Sequence, residues 1–537
     1  MKKIALLLFV MISGLYFSQI VELKKLSTGK LADASVLYDR NNDDIYGYFY
    51  IFEKDKISKT EKLYEYILLD KNLNKVCSGE FKHSSPCTDG GAWLSFRFQP
   101  VYRNGFISIG ISYYYYYNWY TFAYRLLDVK ENTLSDAFTL LPDLTKKYNP
   151  EPTKAKNVVF FRYYSNPFGY TLDTPLKSWK DDGVYFYTKN KTYFVNEKLE
   201  PLWSYSYNEG KTDKNEYTNI IFSPKYDKRS KNILSAFKSL EGKQNQKKTS
   251  KGELSRSYLF FDKNSGKLIS EIFPFGTVSE KEEIKDVSTS TYFIDEAKQT
   301  VTFICRTVTS KGISLDEDLI QGFSKTVYSL SDGKELKRDY FTWNQLSQYL
   351  NIDEYGYVKE KNEPNCYLYL HNVLLKDDGN MIFILEEYKT LTGSAVSSAG
   401  AKINDLFFME LDKDMKLVQF QRIDKEKKSI RNGIRMTGST VSRYGYFDYV
   451  GYEDLGNDNY LFFYYNKQEP EIGSEKQWML GIISYINGKF AEQKLPMKSE
   501  DGSDMDITPA KKGYIMIYET FKDKDRSPEL RLEKINY

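Results

Sequence analysis

Short runs of β-branched, apolar and aromatic residues recur along the chain, each ended by a cluster of Asp, Asn, Gly and Lys. One grammar repeats. It reads ILLDKNLNKVCS (67–78), RLLDVKENTLSDAF (125–138), YFVNEKLEPLWSYS (193–206), LFFDKNSGKLISE (259–271), VYSLSDGKELKRDYF (327–341), MELDKDMKLVQFQ (409–421) and ISYINGKFAEQKL (483–495). Each segment predicts a β-hairpin, because Asp, Asn and Gly accept turn dihedrals while the flanks favour a pleated surface. Ahead of each hairpin lies a more apolar run, such as IYGYFYIF (45–52), TVTFICRT (300–307) or NMIFILEEY (380–388). Met381, Ile382, Phe383, Ile384 and Leu385 are apolar at odd and even positions alike. A strand apolar on both faces is buried on both faces. A two-layer sandwich leaves one face of each sheet wet, so the pattern predicts sheets stacked against neighbours on both sides.

That is the blade arrangement of a β-propeller. The expected fold is all-β, a single propeller of seven or eight blades with long hairpin insertions. LEGKQNQKKTSKGELSRS (240–257) and LTGSAVSSAGAK (391–402) are the clearest insertions. After the repeats come KKGYIMIYETF (511–521) and ELRLEKINY (529–537), an incomplete unit, while IVELKKL (20–26) is a strand with no hairpin partner nearby. The two predict mutual completion, making 19–537 one domain closed by its N- and C-terminal strands. DLTKKY (143–148) and WNQLSQYLNI (343–352) carry the few helical signals and read as connectors. A pair of smaller propellers, or a sandwich plus a propeller, also fits the pattern.

With these hairpins, VLLKDDGNMIFILEEY (373–388) resembles the strand, Asp-Gly turn and strand of β-propeller repeat proteins. Neither a recurring WD dipeptide nor a kelch double glycine narrows the family, and no functional residue is carried over. The whole chain also looks like uncharacterised secreted proteins of Gram-negative bacteria.

Residues 1–18, MKKIALLLFVMISGLYFS, place two lysines before a continuous apolar run from Ile4 to Ile12, broken by Ser13 and Gly14. The run is short for a bilayer of about 30 Å and has the shape of a signal peptide. Cleavage is expected between Ser18 and Gln19, giving a periplasmic or secreted protein with no later membrane span. The alternative is an N-terminal anchor helix. Four cysteines fit an oxidising compartment without making a disulfide scaffold. Cys77 and Cys87, flanking the turn-rich KHSSP, are the disulfide candidates, and Cys305 reads as a buried thiol within VTFICRT.

Composition narrows the chemistry. Lys and Arg number 76 against 73 Asp and Glu, for a net charge of +3. No global field points to nucleic acid. Only His83 and His371 occur, which excludes a multi-His metal centre, and no G-x-S-x-G elbow presents a serine. GSAVSSAGAK (393–402) fails phosphate-loop spacing, with Ile403 where a hydroxyl is needed. DRNNDD (39–44) lacks the glycine and the bidentate glutamate of a calcium loop, and DGSDMD (501–506) supplies too few oxygens alone. Glu386–Glu387 and Asp377–Asp378 are neighbours that point apart and make poor catalytic pairs. No metal and no cofactor is expected.

Aromatics make up 16% of the chain, and YYYYYNWY (113–120) concentrates them. Tyr117, Trp119 and Tyr120 are the ligand-binding candidates, near a hairpin tip where rings with polar edges can stack on a sugar or a protein surface. The alternative is packing between blades. The expected function is non-enzymatic binding or scaffolding in the bacterial envelope or exterior, by a monomer whose partner is a glycan or another envelope protein. The competing reading is a hydrolase or lyase acting on a polysaccharide or peptide at the axial channel.

Overall fold

A computed structural model describes residues 19–535 apart from 40–43, 59–60, 85–95, 116–117, 139–176, 179–184, 188–190, 207–215, 222–229, 231, 243–254, 276, 280–283, 310–319, 361–362, 392–398, 432, 434–435, 469–476, 498, 500–502, 524–525 and 527. It is almost entirely β and propeller-like. The described strands fall into eight sheets, each an antiparallel meander in chain order save for three added strands. The first sheet runs Lys30–Asp39, Asp44–Lys56, Glu61–Asp70 and Lys75–Ser84, and Lys177–Ser178 pairs in parallel with its first strand. The second spans Phe96–Arg103 to Thr133–Leu134, the third Tyr185–Tyr187 to Pro201–Ser206, and the fourth Glu216–Ile221 to Leu268–Ile272. The fifth spans Thr277–Ser279 to Glu335–Thr342. The sixth holds Glu363–Leu375, Met381–Leu391, Gly400–Leu411 and Leu417–Ile423, with Lys428–Arg431 paired to Gly400–Leu411. The seventh runs from Tyr449–Gly456 to Lys489–Pro496. The eighth takes Asp504–Pro509, Tyr514–Thr520 and Glu529–Lys534, and its fourth strand is Gln19–Glu22, paired antiparallel with Glu529–Leu532.

All seven predicted hairpins join the last two strands of a sheet. One turn recurs in them. Asp70 accepts the N–H groups of Asn72 and Asn74, Asn196 those of Lys198 and Glu200, and Asp412 those of Asp414 and Lys416. The fourth position, Leu73, Leu199 or Met415, is left-handed with φ of 64°, 64° and 62°. Such a conformation is costly for a side chain this large. Two bonds to the Asx side chain and burial of the apolar group offset it, since all three residues are buried.

Strands apolar on both faces pack as the pattern requires. Met381 to Leu385 are fully buried. Phe383 and Leu385 join a core shared with Phe323 and Phe341 of the fifth sheet, while Ile382 and Ile384 meet Phe462 and Ile483 of the seventh. Other shared cores join the first and second sheets, third and fourth, fourth and fifth, and seventh and eighth. Arg103 of the second donates to the Val195 and Asn196 carbonyls of the third. Leu530, Leu532, Met516 and Tyr518 of the eighth sheet share a core with Tyr48, Tyr50 and Ile67 of the first.

Of the two helical connectors, 343–352 forms only a 3-10 turn at Trp343–Leu346, with Trp343 buried and its Nε1 donating to the Ile320 carbonyl at 2.6 Å. The other, 143–148, lies outside the described residues. Gly481 faces the buried Tyr464 ring across its hairpin, where a Cβ would overlap the ring. Gly481→Ala should therefore lower stability by about 1–3 kcal/mol, as overpacking does. An unchanged urea midpoint would show that Tyr464 can move aside.

Candidate functional site

Among the described residues, a dense cluster of titratable side chains is built where the apolar strand Met381–Leu391 carries its two acids. Glu386 and Glu387 are both fully buried. A bulge between Glu386 and Tyr388, opposite Asn404 and Asp405, shifts the register there. The neighbours point apart. Glu387 accepts from Asn404 Nδ2 at 3.2 Å within its own sheet, while Glu386 faces the seventh.

Glu386 is saturated with donors. His371 Nε2 lies 2.9 Å from Oε2, and Lys425 Nζ lies 3.1 Å from Oε1. The main-chain N–H groups of Asp448 and Tyr449 donate to its two oxygens at 3.1 and 3.2 Å. Lys425 Nζ also meets Asp448 Oδ2 at 2.7 Å. Asp448 further receives Asn466 Nδ2 and Lys428 Nζ, each at 3.3 Å. The lysines come from the segment after Leu417–Ile423, held in place by the Lys425 N–H donating to Asp405, which also pairs with Arg422. His371 is ringed by Tyr369, Phe447 and Tyr449 at 4.8 to 5.1 Å between ring centroids.

Electrostatics fix the charge states. Burial pushes the Glu386 carboxyl up, but the Lys425 ammonium and the His371 bond outweigh it and hold the group well below the usual carboxylate range. Burial would lower the Lys425 ammonium, and the charges of Asp448 and Glu386 reverse that and raise it. A protonated lysine is no nucleophile, which removes Schiff-base chemistry. Carboxylates whose lone pairs already point at ammonium and amide donors have no proton to give up and little room for a further cation. The arrangement clamps the sixth sheet to the seventh. Nearby, Tyr465 Oη donates to Asp506 Oδ1 at 3.4 Å on the first strand of the eighth sheet. Burial raises the Asp506 carboxyl.

His83 sits in the first sheet, far along the chain from this cluster and in different surroundings. It is buried against the Phe98 ring, and burial, with the Arg125 guanidinium nearby, lowers it to about 4. Between pH 6.5 and 4 the unfolded chain binds a proton here that the folded chain refuses. Stability is therefore full above pH 6.5 and should fall by about 3 kcal/mol as the pH drops to 4. His83→Gln should remove that part of the slope in urea titrations. An unchanged slope would assign the acid sensitivity elsewhere.

The other sequence candidates fare unequally. Tyr117 lies outside the described residues. Trp119 and Tyr120 fall in the strand Asn118–Asp128, paired with Tyr114 and Tyr113; their side chains lie outside the described residues. Cys77 is buried in Lys75–Ser84, and Cys87 lies outside the described residues. Among the described residues no disulfide is present, and Cys305 is a buried thiol that burial pushes up. Gly400–Lys402 belong to a strand paired with Met381–Leu391, and 392–398 lie outside the described residues. Asp39 and Asp44 pair across a hairpin, and Ser503 donates to Glu519 at 2.5 Å. Among the described residues no three metal-ligating side chains converge, and no helix is long and apolar enough to cross a membrane.

Sequence reasoning dismissed the Glu386–Glu387 pair and missed Lys425, Asp405 and Asp448. The available signal was acids inside strands apolar on both faces, IFILEEY and INDLFF. Acids there must find buried partners. DKEKKS offers several lysines, and nothing in the pattern selects Lys425.

Residues 273–536 match a family model described as "Family of unknown function (DUF6770)". The match takes in the fifth to seventh sheets, most of the eighth, and the whole Glu386 cluster. No curated protein matches the chain. Among solved structures, the chain is similar to the β-propeller domain of the Trilobed protease from Pyrococcus furiosus at 9% identity, covering 83% of this chain and 96% of that one, with a TM-score of 0.28. Prolyl oligopeptidase B from Galerina marginata is 7% identical over 91% of this chain and 55% of its own, at 0.29. The endo-arabinase from Bacteroides thetaiotaomicron is 11% identical over 56% and 90%, at 0.22. Likeness this distant carries no argument about chemistry.

Proposed function

We propose that this chain is an exported, non-enzymatic binding or scaffold protein, folded as one ring of eight blades. The ring is supported by the cores that join consecutive sheets and by the core shared between the eighth and the first. Export to the periplasm or exterior is supported by Lys2, Lys3 and the apolar run that follows them. The observation that carries the functional reading is the Glu386 cluster, where a dense set of buried titratable groups is spent on joining sheets. The partner is a glycan or another envelope protein, met by the hairpin end carrying Tyr117, Trp119 and Tyr120. Near-neutral charge favours stacking and apolar contact over long-range attraction.

A glycan array read with wild type and with Trp119→Ala/Tyr120→Ala tests the site. Loss of a stacking aromatic costs about 2 kcal/mol or more, roughly thirtyfold in affinity. Unchanged binding removes these residues from the site. The competing hydrolase reading has one observation in its favour, the raised carboxyl of Asp506 beside Tyr465. Turnover of a polysaccharide or peptide panel that disappears in Asp506→Asn would replace the binding reading.

A further inference from the structure

Lys325 is half-buried, and among the described residues no carboxylate pairs with it. It lies in Gly322–Ser329 of the fifth sheet, opposite Asp339 of Glu335–Thr342. Its Nζ donates to the main-chain carbonyl of Lys413 at 2.7 Å, in the turn before the last strand of the sixth sheet. Asp339 is taken by Lys337, whose Nζ lies 3.0 Å from Asp339 Oδ2 and also pairs with Asp414. The buried lysines Lys376 and Lys425 are built differently, since each holds two carboxylates. A carbonyl oxygen accepts from an amine or from an ammonium, so the Lys413 bond positions Nζ without fixing its charge. Burial lowers the Lys325 ammonium, and the Lys337 charge adds to this against the fields of Asp339, Asp414 and Asp412.

We propose that Lys325 is a nucleophilic amine that captures small aldehydes as an imine. A desolvated lysine beside a second cation is the arrangement that leaves an amine unprotonated near neutral pH. Lys337 supplies that cation, and its bonds to Asp414 and Asp339 keep it charged. The bond from Lys325 to Lys413 lies at the surface, so a small molecule reaches Nζ. The Nζ lone pair attacks the carbonyl carbon, and a proton passes from nitrogen to oxygen to give a carbinolamine. The C–O bond then breaks, the oxygen leaves as water, and a C=N bond forms. Once protonated, the imine carries the same charge as the ammonium it replaces, and the fields of Asp339, Asp412 and Asp414 favour a cation here. A carbamate would set an anion among those acids. The site stands apart from the binding reading, because Trp119 and Tyr120 belong to the second sheet.

Propionaldehyde with sodium cyanoborohydride at neutral pH, read by peptide mass spectrometry on the whole chain, tests the assignment. Lys325 should be alkylated roughly tenfold faster than the exposed Lys413 and Lys489. Lys337→Gln removes the second cation and frees Asp339 and Asp414 to pair with Lys325, so labelling there should fall to the level of Lys489. Asp339→Asn should raise it, and circular dichroism checks that each variant is folded. Labelling of Lys325 no faster than that of Lys489, or unmoved by both substitutions, overturns the proposal. Borohydride added only after the aldehyde has been diluted away separates capture from mere reactivity. The Lys325 adduct should persist, and a signal no greater than that at Lys489 overturns the proposal as well.

Discussion

Lys425→Met should lower the unfolding free energy by about 3–5 kcal/mol, because removing one member of a buried ionic cluster leaves the others charged and unpaired. Glu386 and Asp448 would face each other without the ammonium that now lies 3.1 and 2.7 Å from them. Adding Glu386→Gln and Asp448→Asn should recover part of the loss, since neutral amides need no counter-ion. That recovery separates an electrostatic clamp from simple packing, and urea midpoints at one pH would read it. Acid should act on the same group. The folded carboxyl of Glu386 is lowered, so its contribution is present above the unfolded value near 4.5 and is lost as the pH falls below it toward the folded value. A triple variant no more stable than Lys425→Met would show that the site depends on shape.

The features legible in the sequence are those encoded by adjacent residues. Asp70-Lys71-Asn72-Leu73-Asn74 contains its own acceptor, donors and core plug, so these five residues specify their hairpin by themselves. Strands apolar on both faces announced neighbours on both sides, and Met381 to Leu385 have them. What joins the sheets was not legible, because the partner is so often main chain. Asp33 accepts the Phe98 N–H at 3.1 Å, Glu296 the Ile233 N–H at 3.0 Å, and Glu453 the Gly513 N–H at 3.0 Å. Each bond crosses from one sheet to the next, and every residue but proline offers the same N–H. Sequence can place such an acid in a strand but cannot name the amide it will find. The Glu386 cluster was missed for the same reason, since two of its bonds run to the Asp448 and Tyr449 amides.

Deleting residues 19–26 should cost about 5 kcal/mol. Removing a buried Leu such as Leu23 accounts for about 2–5 kcal/mol, and each main-chain bond lost from the edge for about 1. That is a large fraction of the 5–15 kcal/mol typical of a folded domain. The loss should also be localised. Lys511 Nζ would still donate to Asn72 Oδ1 at 2.6 Å across the same seam, and Met516 and Tyr518 would keep their contacts with the first sheet. Unfolding should then begin at the eighth sheet and lose its two-state form, with tyrosine fluorescence and circular dichroism giving separate midpoints. Leu23→Ala, which leaves the backbone pairing intact, should show a smaller shift and a single transition. A deletion that matched Leu23→Ala in size and cooperativity would mean that the paired strand adds nothing beyond one leucine. Closure would then belong to the side-chain core between the first and eighth sheets.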